Sequence, residues 1–200
     1  MLALAVLASG SGSNLQSIID ACRDGDLEGS VRVVIGNNSK SGALVRARAA
    51  GISTVHLSGK THPDATELDQ AMARTLVESG VQVVCLAGYM KLLGPKTLAA
   101  FDGRILNIHP ALLPKHGGQG CYGAAVHEAV LAAGDTESGP TVHLVDEIYD
   151  HGRILAQSPV PVLSDDTPDS LAARVLEQEH VLYVETLQRI ATGEIALSGL

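Results

Sequence analysis

Apolar runs of strand length alternate with helix-like patterns along this chain. Residues 2–8 are apolar throughout, and behind them Leu15, Ile18, Ile19 and Cys22 recur at the spacing of one helical face. The run "VRVVIG" (31–36) reads as a second strand, followed by a short helix over 43–50 that Gly51 ends. "ISTVHL" (52–57) is a third strand, and the pattern over 66–79, closed by Gly80, a third helix. "VQVVCLAG" (81–88) is apolar on both alternations, as a strand covered on both faces should be. "GRILNIHP" (103–110) and "TVHLVD" (141–146) are further strands, with a helix over 122–133 between them. "RILAQSPVPV" (153–162) reads as a late strand at an edge because of its prolines. Thr167 and Pro168 then supply an N-cap and a first-turn proline for a long final helix.

This alternation predicts an α/β domain with a largely parallel central sheet flanked by helices and right-handed crossovers. At 200 residues without repeats or a linker, one domain over 1–200 is the simplest division. In such sheets ligands bind beyond the carboxyl ends of the strands. Four strand exits are thereby singled out, at 9–14, 88–93, 107–114 and 146–152, and every unusual polar cluster falls at one of them.

Composition narrows the partners. Four Tyr, one Phe and no Trp leave a core of Leu, Val, Ile and Ala, and no aromatic platform for stacking bases. A net charge of −8 argues against nucleic acid as a bulk partner, while allowing a small anion at a local site. Cys22, Cys85 and Cys121 lie far apart with no C-x-x-C pair, which suits free thiols in the cytoplasm and neither a disulfide framework nor a zinc site. The apolar start lacks a basic leader and is too short to span a bilayer, so no membrane partner is expected. No close cluster of His, Cys or carboxylates has metal-ligand spacing, and no metal is expected.

"LASGSGSNLQSII" (7–19) carries two glycines at the first strand exit. Gly10 and Gly12 permit close backbone approach, and Ser13 or Asn14 can cap a helix whose N-terminus favours an anion. Leu15 stands where a dinucleotide fingerprint needs its third glycine, and no Gly-Lys-Ser/Thr follows. The stretch therefore fits either a tight turn or a monophosphate cradle. In "NIHPALLP" (107–114), Asn107 and His109 share a strand face before Pro110 stops the ladder. An amide and an imidazole side by side suit an oxyanion that must be hydrogen-bonded and then protonated, or a polar pair closing the sheet edge. Asp146, Glu147 and Asp150 follow the strand bearing His143, and one of them could orient His109. Glu179 lies on the apolar stripe of the last helix with Leu171, Val175, Leu182 and Ile190. It must pair with a cation or accept hydrogen bonds from a ligand.

Taken in order, "LASGSGSNLQSIID", "VVCLAGYMKLL", "RILNIHPALLP", "GPTVHLVDEIYDHGRILAQ" and "ARVLEQEH" resemble the folate-dependent formyltransferases, in particular the phosphoribosylglycinamide formyltransferase type. The resemblance spans nearly the whole chain. It implies a Rossmann-like formyltransferase fold, with a nucleotide-phosphate half over about 1–100 and a folate and catalytic half over about 85–200. It implies that Gly12, Ser13 and Asn14 hold the 5′-phosphate and that Glu179 accepts the ribose hydroxyls. Met90, Lys91, Leu92, Leu93, Asn107 and the stretch from Asp146 to Asp150 would line the folate pocket, with Asn107, His109 and Asp150 as the catalytic trio. The implied co-substrate is 10-formyltetrahydrofolate, with no metal, and the implied assembly a monomer or homodimer.

The sequence departs from the resemblance at "KHGGQGCYGAAVHEAV" (115–130), a longer and more glycine-rich segment than the short family form, and at Lys91, where many members carry Arg. Two other readings remain. A 10-formyltetrahydrofolate hydrolase would share the trio but use water, and is expected to carry a regulatory domain ahead of a first strand that here begins at residue 2. A nucleotide- or folate-binding module would bind without turnover. A methionyl-tRNA formyltransferase would need a basic RNA-binding domain, which the charge disfavours.

Overall fold

A computed structural model describes residues 1–199. The first strand, β1 (Leu2–Ala8), is buried along its whole length. Its side chains alternate between two cores: Leu2, Leu4, Val6 and Ala8 face one cluster, Ala5 and Leu7 the other. That is what a period of two does to an apolar strand in the middle of a sheet. Around it run α1 (Ser13–Asp24), β2 (Gly29–Gly36), α2 (Gly42–Ala49), β3 (Ser53–His56), α3 (Ala65–Glu78) and β4 (Val83–Leu86). Then follow α4 (Pro95–Ala100), β5 (Ile105–His109), α5 (Ala124–Ala133), β6 (Glu137–Ser138), β7 (Thr141–Leu144), β8 (Ile154–Gln157), β9 (Val160–Pro161) and α6 (Pro168–Ala191).

The main sheet has seven strands in the order β3-β2-β1-β4-β5-β7-β8. The five strands from β3 to β5 are parallel, and β7 and β8 add antiparallel at the far edge. Helices α1, α2 and α6 cover one face, and α3 and α4 the other. The chain reverses its direction of winding between β1 and β4, and the loops leaving these strands meet there. Ser9 N–H donates to the Gly88 carbonyl across 3.0 Å, and Met90 N–H to Ser9 Oγ across 2.9 Å. A crevice at such a switch point is where open α/β sheets bind ligands.

The final helix starts as its sequence predicts. Thr167 Oγ1 accepts from Ser170 N–H while Ser170 Oγ accepts from Thr167 N–H, a reciprocal capping box. Tyr183 of α6 is fully buried, its hydroxyl 3.2 and 3.1 Å from the carbonyl oxygens of Leu86 and Leu106, so an aromatic joins the aliphatic core after all.

Three expectations need correction. Neither Ser13 nor Asn14 caps α1; Gly12 takes the N-cap position in a left-handed conformation (φ 77°), and both polar residues lie inside the first turn. The late strand 153–162 is two strands, β8 on the main sheet and β9 on a separate ribbon with β6. Pro159 removes the donor that a continuous ladder would need between them. The fourth exit also lies elsewhere: β7 runs antiparallel, with Thr141 beside His109 and Leu144 beside Leu106. Its loop leaves at the opposite end from the parallel strands and has to fold back to reach them.

Candidate active site

β5 ends in the stretch that carries Asn107 and His109. Thr141, level with His109 on β7, secures the turn beyond: its hydroxyl donates to the Ala111 carbonyl (2.6 Å) and accepts from Leu113 N–H (3.1 Å). The Leu113–Pro114 bond is cis. Gln157 adds a bond from its amide to the Leu113 carbonyl (3.0 Å). His109 is thereby held at the sheet end, 3 % exposed.

Asp150 completes the group. The loop after β7 returns across the sheet and sets Oδ2 3.5 Å from His109 Nδ1, and Oδ1 3.5 Å from His143 Nε2. Asp150 itself adopts a positive φ of 55°, an uncommon conformation for a side chain with a Cβ. Gly152 permits the return, since a Cβ there would run into the Leu144 carbonyl. Oδ2 of Asp150 also accepts from Gly118 N–H (2.9 Å). Of the acidic residues at this exit, only Asp150 reaches His109 and His143. Glu147 is exposed, and Asp146 turns to Ile148 N–H and to His151.

One proton position follows from a partner that can only accept. His109 Nε2 lies 2.9 Å from the His116 carbonyl, so that nitrogen carries the hydrogen and Nδ1 faces Asp150. Burial holds the His109 pKa below its ordinary value, and the nearby Asp150 charge offsets this only in part. Burial opposes the charge on Asp150 as well. There the contacts with His143, His109 and Gly118 outweigh it, and its pKa is lowered. Burial thus favours the neutral imidazole, and the same surroundings favour the carboxylate beside it. A proton arriving at Nδ1 would find Asp150 waiting for it.

His143 was not singled out as a site residue by sequence reasoning, yet it organises the group. Its Nδ1 donates to the Leu144 carbonyl (2.8 Å), and its Nε2 lies 3.1 Å from Asn107 Nδ2, where it accepts whenever it carries no hydrogen. An acceptor there holds the NH₂ end of the Asn107 amide toward His143. The available signal was a histidine one strand over; pairing His143 with Asn107 needed the β5–β7 register.

On the other side of the crevice stands the glycine loop. Gly12 approaches α2 so closely that a Cβ would sit 2.6 Å from the Ala43 Cα. Ser13 begins α1, and Asn14, behind it, donates through Nδ2 to Glu179 Oε2 at 2.6 Å. Asn14 Oδ1 is buried without a partner. No cation pairs with Glu179 among the described residues; burial pushes its carboxyl from 4.5 up to about 7, against the opposing pull of the Asn14 bond. The stripe carboxylate therefore faces the glycine loop.

A hollow beside Asn107 and Asp150 is lined by Tyr89, Lys91, Leu92 and Leu93 on one side and by His143, Asp146, Ile148 and Tyr149 on the other. Met90 is not among its lining residues and is half exposed. Tyr89, which the sequence offers either as a wall for a flat apolar ligand or as packing for the next helix, lines the hollow. Ile148 and Tyr149 also line it and were named only within the stretch from Asp146 to Asp150. A larger hollow of about 350 Å³ lies behind the 112–116 turn and holds none of the predicted site residues. No cluster of three potential metal ligands occurs among the described residues.

The Formyl transferase family profile matches residues 2–187. The phosphoribosylglycinamide formyltransferase of Escherichia coli is 39 % identical over 194 residues, covering 97 % of this chain and 89 % of its own. The chloroplastic one of Arabidopsis thaliana is 47 % identical over 193 residues, covering 96 % of this chain, which spans 66 % of the plant protein. The crystal structure of glycinamide ribonucleotide transformylase 1 from Symbiobacterium toebii superposes with a TM-score of 0.92 at 42 % identity, covering 100 % of this chain and 92 % of that one.

Proposed function

Since the chain belongs to the formyl transferase family, we propose that it transfers the formyl group of 10-formyltetrahydrofolate to the primary amine of phosphoribosylglycinamide, a step of purine biosynthesis. One observation carries this reading: Asn107, His109 and Asp150 converge between a glycine loop backed by Glu179 and a hollow with apolar walls. The loop suits a phosphate, because Gly12 opens α1 with free N–H groups at a helix N-terminus. Glu179, once ionised, accepts two ribose hydroxyls. The hollow takes the flat ring of the folate, with Lys91 at its rim. The widely spaced thiols support a cytoplasmic setting.

The substrate amine attacks the formyl carbon directly. Asn107 Nδ2, whose other hydrogen is spent on His143, donates to the developing oxyanion. His109 Nε2 donates beside it once the oxyanion replaces the His116 carbonyl. The negative charge favours protonation of the ring at Nδ1, and Asp150 stabilises the resulting imidazolium. Collapse of the tetrahedral intermediate breaks the bond to the folate nitrogen, which takes as it leaves the proton that the attacking amine gives up. The amine is the acceptor in this scheme, so deformylation measured with and without phosphoribosylglycinamide tests it. Turnover only with both substrates is expected. Equal turnover without the amine would establish a hydrolase, and none in either case a binding module.

A further inference from the structure

Asp69 of α3 takes no part in the chemistry above, yet it is a buried carboxylate, 7 % exposed, and among the described residues its side-chain hydrogen bonds all run to one place. Oδ2 accepts from Lys96 N–H at 2.8 Å. Oδ1 accepts from Thr97 N–H at 3.0 Å and from the Thr97 hydroxyl at 2.6 Å. These are free donors of the first turn of α4, whose own N-cap residue, Gly94, offers no side chain. Gly94 also packs against the carboxylate, since a Cβ on it would fall 2.3 Å from Asp69 Cγ.

A helix of six residues does not hold itself in water. Its position is set by what grips it, and here a charged acceptor from another helix does so at the end where the dipole favours a negative charge. The segment just before it, 89–93, forms one wall of the hollow beside Asn107. At its beginning that segment is tied to Ser9, through Gly88 and Met90. We propose that Asp69 is a positioning residue for the folate: it anchors the far end of the 89–93 wall and so sets the width of the pocket. The proposal rests on the reading of that hollow as the folate site.

Asp69→Ala, Asp69→Asn and Gly94→Ala test it, with folate affinity titrated directly using tetrahydrofolate and both KM values measured. Loss of a charged acceptor at a buried site predicts that Asp69→Ala weakens tetrahydrofolate binding and raises the formyl-folate KM by ~10-fold. The nucleotide KM and kcat at saturation stay within about twofold of the wild type. Asp69→Asn falls between, because its carbonyl keeps the Thr97 partners while its NH₂ meets the Lys96 N–H. Gly94→Ala, which displaces the wall from the other side, matches Asp69→Ala. If Asp69→Ala does not fold, the other two carry the comparison. A wild-type chain that does not bind tetrahydrofolate overturns the reading of the hollow and the anchor with it. Wild-type binding that the variants share, or a nucleotide KM that rises as much as the folate KM, overturns the anchor alone.

Discussion

The side-chain amide of Asn14 donates to the carboxylate of Glu179 across 2.6 Å, joining the turn after the first strand to the middle of the last helix, 165 residues apart. The pair puts a group that would face a phosphate next to one that would face a ribose.

Its pH behaviour is testable. The unfolded carboxyl of Glu179 loses its proton near 4.5 and the folded one near about 7, so between these values the folded chain holds more protons. Stability therefore declines as pH rises through that window and levels off above it. Glu179→Gln removes the effect, and denaturant titration should find the variant more stable than the wild type by ~1–3 kcal/mol at about pH 8, with little gain at about pH 4. Nucleotide binding runs the other way, because only the ionised carboxylate accepts both hydroxyls. The wild-type nucleotide KM should fall as pH rises through about 7, and the Glu179→Gln value should be higher and flat.

His109→Ala removes one of the two oxyanion donors and should lower kcat by ~10²–10³. Nucleotide binding should persist, as calorimetry can check, because the glycine loop is untouched. Asp150→Asn removes the charge that raises the His109 pKa, so NMR titration of the ring should find that pKa still lower than in the wild type. A near-normal rate for His109→Ala, or an unmoved His109 titration in Asp150→Asn, would contradict the roles assigned here.

His143→Phe keeps a ring in the same place but takes away the acceptor for Asn107. The amide is then free to turn its oxygen toward the oxyanion. A fall in kcat of ~10-fold or more is expected, with the nucleotide KM unchanged, since one misdirected hydrogen bond of this kind costs more than an exposed one. Steady-state kinetics in both substrates would separate these effects.

Gly12→Ala forces a left-handed φ of 77° on a residue with a Cβ and drives that Cβ into Ala43. A loss of ~1–3 kcal/mol in stability is expected from strain and overpacking. Because the loop must shift off α2, the nucleotide KM should rise while the formyl-folate KM holds.

Much of this arrangement is legible in the residues alone. Leu2–Ala8 is recognisable because a strand buried on both faces must be apolar at every position. The start of α6 is recognisable because Thr167, Pro168 and Ser170 are local caps that act within one turn. Glu179 stands out because a carboxylate on an apolar stripe needs a reason. The short strand β6, two residues long, is invisible in the sequence, since its pairing with β9 supplies the only evidence for it. The role of Asn14 was hidden likewise, because a helix-capping residue and a long-range donor look identical in a sequence.

By itself, then, the sequence determined the α/β alternation, three of the four exits where polar residues gather, and Asn107 and His109 as neighbours on one strand face. Each depends on spacing along a single element. Only the tertiary structure decided that His143 points the Asn107 amide, that Asp150 alone among its acidic neighbours returns to His109, and that Asp69 grips α4. These relationships depend on the direction of β7, the fold of its loop and the meeting of distant helices. They arise where separate elements pack together, and no local spacing encodes them.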